Sequence, residues 1–200
     1  RVGCAVIGQT ANLAPADKKL YALRDVTGTV NSIPLICGSI MSKKLASGAD
    51  TILLDVKYGS GAFMPDPESA LQLATKMVDI GTRAGKNIGA LITDMEQPLS
   101  DHVGNALEIV GIVDVLNGKQ NRLYREIREV AVKLLVLTGK YDETTAEKAF
   151  QHAIDSGEAL AKFAEMVRAQ HGDDSYILHP DKFTLGKRDV VCAQTDGYVT

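Results

Sequence analysis

The chain has 200 residues, of which 45% are hydrophobic, 24% are charged and only 5% are aromatic, with no Trp. These values are typical of a soluble globular protein with a mostly aliphatic core, and the length suffices for one domain or two small lobes. The net charge of −3 argues against a nucleic-acid-binding domain, and no apolar run reaches the roughly 18 residues that a membrane span needs.

The first third of the chain predicts one strand followed by two helices. The short apolar run Val2–Ile7 is typical of a buried strand. Helical spacing of apolar residues predicts a helix over Ala16–Asp25, and Asp17 in its first turn suits the helix dipole. Ser32 is a favourable N-cap for a second helix over Ile33–Ala46.

Strands and helices alternate through the rest of the chain. Apolar and β-branched runs predict strands at Thr51–Val56, Asn87–Thr93 and Arg188–Ala193. Helices are predicted over residues 66–84, 104–116, 122–139, 143–155 and 157–170. This order predicts an α/β fold with a mixed, largely parallel sheet flanked by helices. Ligands of such sheets bind at the carboxyl ends of the strands, here the loops 8–14, 57–65 and 93–104.

The two predicted helices at 16–25 and 33–46 carry the clearest candidate binding residues. Four residues of the second helix share one face: Ile36, Ser39, Ile40 and Lys43. On the first helix, Tyr21 and Arg24 also share a face. This spacing fits an ordinary amphipathic helix pair with a lysine at its rim. It also fits a pocket whose aliphatic walls enclose a flat polar heterocycle, while a hydroxyl and two cations meet its polar atoms.

Four long stretches decide between these interpretations: LYALRDVTGTVNSIPLICGSIMSKKLASGAD, LLDVKYGSGAFM, TDMEQPL and GNALE. They closely resemble the pyrimidine nucleoside phosphorylase and thymidine phosphorylase family, over about residues 2–180. The resemblance implies a small all-helical lobe and a large α/β lobe with the substrate cleft between them. Residues 1–14 and 47–182 match the α/β lobe, residues 15–46 match a helix pair of the helical lobe, and residues 183–200 match the start of a C-terminal α+β section.

The resemblance implies a pentosyltransferase that cleaves pyrimidine nucleosides reversibly with inorganic phosphate, giving the free base and a pentose 1-phosphate. Base recognition in the family falls on positions matched by Arg24, Ser39 and Lys43, and the two cations are the candidate catalytic residues. Further pocket-lining positions match Tyr21, Ile36, Ile40 and Phe63. Fixed cations suit this reaction, because breaking the C1′–N1 bond puts negative charge on the base.

The family's phosphate-binding residues and a histidine near its reaction centre match positions that precede Arg1. We therefore expect this chain to be a central fragment that is inactive alone. The stretch Lys57–Gly61 lacks the order of residues found in a P-loop and is interpreted as a strand-end turn that delivers Phe63 to the cleft.

A potassium site is a further expectation from the resemblance, because bacterial members often bind a monovalent cation through main-chain oxygens and one glutamate. Leu99 matches one carbonyl donor, and His102 stands where an alanine carbonyl is usual. Gly111 takes the place of the glutamate, which removes the charged ligand and puts the ion in doubt. No organic cofactor is expected.

Two other functions stay open at this point. An anthranilate phosphoribosyltransferase-like enzyme shares the two-lobe fold but uses pyrophosphate chemistry with magnesium and lacks the YALRDVT and SIMSKK patterns. A non-catalytic nucleoside-binding module could retain the base pocket alone. The resemblance also implies a cytoplasmic homodimer acting in nucleoside salvage, with small-molecule partners and no nucleic acid or membrane. It does not distinguish uridine from thymidine as the preferred substrate.

Other reactive residues favour structural roles. Asp94 and Glu96 lie near a strand end, where general acid–base chemistry and loop hydrogen bonding are both open. The basic stretch Arg122–Arg128 predicts a solvated helix face. The histidines without ligand spacing are interpreted as surface or structural residues: His152, His171 and His179. The cysteines are interpreted as buried free thiols: Cys4, Cys37 and Cys192.

Overall fold

A computed structural model describes residues 1–8, 12–184, 186–187 and 189–197, and within them two parallel strands are flanked by helices. This confirms the predicted α/β fold. In chain order the elements are α1 (Pro15–Val26), α2 (Ile33–Ala46), β1 (Thr51–Tyr58), α3 (Pro67–Arg83), β2 (Asn87–Asp94), α4 (Asn105–Leu116), α5 (Arg122–Leu137), α6 (Glu143–Asp155), α7 (Glu158–Ala169) and α8 (Ser175–Leu178), followed by a 3₁₀ turn at Pro180–Lys182. Of the helices in the described ranges, none combines the length and apolarity that crossing a membrane requires.

The two strands and the helix between them form a β–α–β unit. The strands pair in parallel, with Thr51 opposite Asn87 and Tyr58 opposite Asp94, and parallel neighbours need a crossover such as α3 to connect them. The helix begins where the Asp66 carboxylate accepts a hydrogen bond from the Ser69 amide at 2.7 Å. This unit places the ends of both strands, and the loops that follow them, at one edge of the sheet.

The first core cluster joins α2 to the β–α–β unit. Three elements and the loop after β1 supply its larger buried side chains: Ile36 and Met41 from α2, Ile52, Leu54 and Val56 from β1, Met64 from the loop, and Leu73 and Met77 from α3. Close packing explains the glycine on the inner face of α3, because a Cβ at Gly81 would lie 2.6 Å from Ile88 Cδ1. Helix α2 is therefore packed chiefly against α3, and it also contacts α1.

Two smaller clusters hold the later helices together. One contains Val115, Tyr124, Val132, Phe150 and Ile154, with the Tyr124 and Phe150 rings edge to face and their centroids 5.7 Å apart. The other joins α4, α7 and α8. Because α5 also contacts both strands, it attaches this group of helices to the sheet.

The strands predicted at the two ends of the chain are wrong for the residues that the structure describes. Val2–Ile7 forms no strand, and Val6 and Ile7 are exposed at 70% and 67%. Its main chain is held instead by Gln170, whose side chain accepts from Val6 N at 3.0 Å and donates to Val6 O at 2.7 Å. Of the predicted late strand, Arg188 lies outside the described residues, and residues 189–193 form none. Neither segment has a strand partner among the described residues, and an unpaired strand is not stable in water.

Of two local predictions, the burial of the cysteines is wrong for two of the three, and the N-cap at Ser32 is confirmed in position only. Cys4 and Cys192 are exposed, because both lie in these unpaired segments, and only Cys37 is a buried thiol. Burial raises the pKa of the Cys37 thiol. Ser32 precedes α2 but makes no side-chain cap hydrogen bond. The second residue of that helix is Pro34, so one of the two N–H groups that an N-cap side chain usually accepts from does not exist.

Candidate functional site

The first candidate site is a pocket of about 380 Å³ between α1 and α2. The turn that joins the helices is tied back to α1, because Thr29 N donates to Arg24 O at 3.0 Å and Thr27 Oγ1 donates to Leu23 O at 2.8 Å. The pocket is lined chiefly by apolar atoms, and its polar side chains include Asp17, Tyr21, Arg24, Ser39 and Ser42. Three of the seven predicted substrate-binding residues, Tyr21, Arg24 and Ser39, therefore line one pocket.

Arg24 is buried in the wall of this pocket, with 7% of its surface exposed. Its Nη2 donates a hydrogen bond to the Val30 carbonyl, and its Nε is buried with no hydrogen-bond partner among the described residues. The Tyr21 ring lies beside the guanidinium, with its centroid 5.1 Å from Arg24 Cζ, which is a favourable cation–π distance. With Nη2 engaged and Nε out of reach of solvent, Nη1 is the guanidinium nitrogen best placed for a ligand.

Lys43 and Ser39 are brought together on α2, one turn apart. The Lys43 ammonium donates to Ser39 Oγ at 2.9 Å and to Asp17 Oδ2 at 2.7 Å. Asp17 and Ser39 are 7% and 6% exposed, so the two acceptors are shielded from water, whereas the Lys43 side chain is 25% exposed. Burial alone would raise the pKa of Asp17, but hydrogen bonding with Lys43 and Ser39 and the positive charges of Lys43 and Arg24 lower it below the ordinary value.

Asp17 is the residue of this site that the sequence analysis missed. Its position in the first turn of α1 suggested only a favourable interaction with the helix dipole. Asp17, Tyr21 and Arg24 are spaced i, i+4 and i+7, so they share one face of α1. That spacing was available in the sequence and would have indicated that the carboxylate lies with the candidate binding residues.

The two isoleucines and the phenylalanine among the candidates line a different pocket. Ile36, Ile40 and Phe63 border a cavity of about 760 Å³ that runs along β1 and includes Leu53, Leu73 and Met77. Ile36 belongs to the core, whereas Phe63 is 64% exposed in the loop after β1. The seven predicted residues therefore fall into two pockets. Tyr21, Arg24 and Ser39 line the α1–α2 pocket, and Lys43 is hydrogen-bonded to two residues of that pocket. Ile36, Ile40 and Phe63 line the β1 cavity.

The loop after β1 is the turn that the sequence predicts. Gly59 N donates to Met64 O at 2.9 Å, which closes the loop back onto the end of the strand. Gly59 has a φ of 115° and lies against the main chain of the next loop, where an added Cβ would be 2.8 Å from Glu96 N. A side chain there is excluded both by the backbone angle and by the contact, so the two strand-end loops are packed together.

The positions expected to hold potassium border a third pocket, of about 560 Å³, beside this pair of loops. Leu99 and His102 line it, and His102 O accepts a hydrogen bond from Ser100 Oγ at 3.1 Å. The His102 ring covers Gly111, because an added Cβ at Gly111 would lie 3.2 Å from His102 Nδ1, a buried atom without a hydrogen-bond partner. These residues supply main-chain oxygens and no carboxylate of their own, and the carboxylates that line the same pocket are those of Glu96 and Glu108. In the described part of the chain, no three His, Cys, Asp or Glu side chains are grouped to hold a metal ion.

Asp94 and Glu96 take part in hydrogen bonds that hold the strand-end loops. Asp94 Oδ1 accepts from Glu96 N at 2.8 Å, and its Oδ2 accepts from Arg122 Nη2 at 3.2 Å. Glu96 Oε2 accepts from Ser60 N at 3.2 Å. These contacts favour loop hydrogen bonding over acid–base chemistry for both carboxylates.

The start of α5 is less solvated than the charge pattern predicted. Arg122 is half-buried against Asp94, and Glu126 bonds Lys57 at the end of β1. Lys57 also pairs with Asp55 at 2.9 Å. Burial would lower the pKa of Lys57, but hydrogen bonds to Glu126 and Asp55 raise it. These ion pairs attach α5 to the sheet.

Comparison with known proteins agrees with the sequence resemblance. The model of the glycosyl transferase family, α/β domain, matches residues 1–160. The chain is 49% identical over 199 residues to proteins named pyrimidine-nucleoside phosphorylase from Staphylococcus aureus strains bovine RF122 / ET3-1, USA300 and NCTC 8325 / PS 47, which covers 98% of this chain and 46% of each relative. The chain thus spans less than half the length of these relatives. The family match over most of its residues places the chain in the glycosyl transferase family, whose α/β domain it carries.

Proposed function

We propose that the full-length protein, of which we expect this chain to be a part, is a pyrimidine-nucleoside phosphorylase. It transfers the pentose of uridine, thymidine or deoxyuridine reversibly to phosphate, giving the free base and ribose or deoxyribose 1-phosphate. The names of the relatives support this proposal. The observation that carries it is the convergence of Arg24, Ser39 and the Lys43 ion pair at the α1–α2 pocket.

The pocket has the chemistry that the reaction needs at the base. As the C1′–N1 bond breaks, negative charge develops on the ring and its carbonyl oxygens. Lys43 and the Nη1 edge of Arg24 stabilise that charge, and they do so more strongly in the transition state than in the ground state. Ser39 donates or accepts a hydrogen bond and orients the ring. The half-exposed Tyr21 ring gives the base a flat apolar surface at the mouth of the pocket.

The β1 cavity completes the proposed site from the other lobe. Phe63 is exposed in the loop after β1 and is available to close over a bound nucleoside. The residues expected to hold phosphate match positions before Arg1, so this chain supplies the base-binding half and is predicted to be inactive alone. The homodimer, the cytoplasmic location and the role in salvage that the resemblance implies stay predictions.

The decisive experiment is a phosphorolysis assay of the full-length protein. Uridine, thymidine and deoxyuridine are each incubated with inorganic phosphate, and the free base and pentose 1-phosphate are quantified. We expect both products to appear in equal amounts and only when phosphate is present. Nucleoside binding without turnover would instead support a non-catalytic binding module. Turnover that needs magnesium and a phosphoribosyl pyrophosphate donor would support the phosphoribosyltransferase alternative.

A further inference from the structure

Asp17 is a buried charged residue that the proposed reaction does not use directly. It lines the α1–α2 pocket, one helical turn from Tyr21 and two from Arg24. A buried carboxylate is costly unless it is paired and hydrogen-bonded. A positively charged partner that offsets this cost is therefore expected beside the Asp17 carboxylate.

That partner is Lys43, 26 residues further along the chain on α2. The Asp17 Oδ2 to Lys43 Nζ distance is 2.7 Å, and the same ammonium lies 2.9 Å from Ser39 Oγ. An ammonium has three N–H donors. Two are directed at Asp17 and Ser39, which leaves one for a ligand and fixes the direction in which it is offered.

We propose that Asp17 is a positioning residue that holds the Lys43 ammonium against Ser39 in the orientation that meets the pyrimidine ring. This inference rests on the proposed function. Lysine carries its charge on a flexible four-carbon stem, so its head group is poorly placed unless a second group holds it. Asp17 supplies that second group from the opposite helix. A displacement of about 1 Å at a reacting centre costs up to about a hundredfold in rate, so the effect is measurable.

The test is a double-mutant cycle in the full-length protein, measured as kcat/KM for phosphorolysis. We expect Asp17→Asn, which keeps the side-chain shape, to lower kcat/KM roughly ten- to a hundredfold, chiefly through kcat. In a Lys43→Ala background the same change is expected to alter kcat/KM by less than about twofold, because Asp17 acts through Lys43. Asp79→Asn is the matched control, since it removes a carboxylate from an exposed ion pair with Arg83 on α3.

If the asparagine variant does not fold, Asp17→Glu tests the same proposal. It retains the charge and shifts the carboxylate, so we expect a loss of a few fold that also disappears in the Lys43→Ala background. A full rate in both Asp17 variants, or a loss that persists without Lys43, would overturn the positioning role. If Lys43→Ala itself kept a near-normal rate, the proposed base-binding role of Lys43 would fail, which is a different result from a silent Asp17.

Discussion

At the scale of single residues, the two cations of the α1–α2 pocket are held in different ways. Arg24 Nη2 donates to the Val30 carbonyl, and Arg24 Nε is buried with no partner among the described residues. Lys43 is held by its ion pair with Asp17. The guanidinium is therefore fixed by burial and the ammonium by an ion pair. In both arrangements the cation is already oriented before negative charge develops on the base, so little reorganisation of the protein is needed. This preorganisation is the source of electrostatic catalysis.

Removing either cation is expected to slow the proposed reaction severely. We expect Arg24→Ala and Lys43→Ala each to lower kcat/KM of the full-length protein by about 100- to 1,000-fold, the loss typical of removing one donor aimed at developing charge. Arg83→Ala, which removes an exposed arginine from α3, is the control and is expected to have no effect. Melting temperatures measured in parallel separate a loss of chemistry from a loss of fold. Near-normal rates in both pocket variants would refute the assignment.

The Asp17–Lys43 pair also predicts how stability depends on pH. The pKa of Asp17 is lowered in the folded protein from an ordinary value of 3.8. The folded state thus binds a proton less readily than the unfolded state, so the pair stabilises the fold above about pH 3.8 and loses this contribution as pH falls through the lower, folded pKa. We expect the difference in melting temperature between the native protein and Asp17→Asn to be constant near neutral pH and to shrink below about pH 4. A difference that stayed constant down to pH 2 would contradict this.

Residue spacing predicted part of this site. The contacts that spacing did not predict have a physical cause in common. The i, i+3 and i+4 rule finds residues on one helix face, so it identified Tyr21 with Arg24 and Ser39 with Lys43. The Asp17–Lys43 contact joins two helices, and nothing local in the sequence specifies how they pack. The same limit explains why Ile36 and Ile40, although adjacent to Ser39 and Lys43 on α2, face the β1 cavity instead.

At the scale of elements, segments with strong local signals were predicted well. The α2 helix spans the predicted Ile33–Ala46, and β1, α3 and β2 differ from their predicted ranges by at most two residues at either end. Apolar periodicity, Asp66 at a helix start and Gly85 after a helix end are local features, which explains this success. The runs at 2–7 and 189–193 were wrong, because a strand exists only when a neighbouring strand pairs with it, and apolar composition does not say whether one does.

The packing of α3 between α2 and the strands makes a specific stability prediction. Met77 is 2% exposed in the first core cluster, so Met77→Ala leaves a cavity and should reduce the free energy of unfolding by about 2–5 kcal/mol. Leu71 lies on the same helix but is 55% exposed. Leu71→Ala should therefore change the free energy of unfolding by no more than about 0.5 kcal/mol. Urea denaturation of the two variants checks this contrast. Equal effects would mean that α3 does not pack as described.

At the scale of the whole molecule, the groups proposed to bind a nucleoside lie in two regions. The α1–α2 pocket offers a hydroxyl and two cations, while the β1 cavity and the strand-end loops offer Phe63 and main-chain groups. A nucleoside has a flat base and a polar sugar, so a site that serves both needs the two regions to approach. We expect the hinges for such closure to lie near residues 12–15 and 47–50, on either side of the helix pair.

The potassium dependence of the full-length protein tests whether the strand-end loops hold an ion. The resemblance matches Gly111 to the family's carboxylate ligand, and the His102 ring covers the main chain at Gly111. Two other carboxylates line this pocket, but Glu96 accepts from Ser60 N and Glu108 accepts from Gly104 N, so we expect a monovalent cation to meet chiefly carbonyl oxygens. We expect the phosphorolysis rate to change by less than about twofold when potassium is replaced by a bulky organic cation at constant ionic strength, because bound charge at an active site contributes strongly only when a ligand set holds it there. A loss of tenfold or more, restored by potassium, would show that an ion binds and that other oxygens of the full-length protein replace the missing carboxylate.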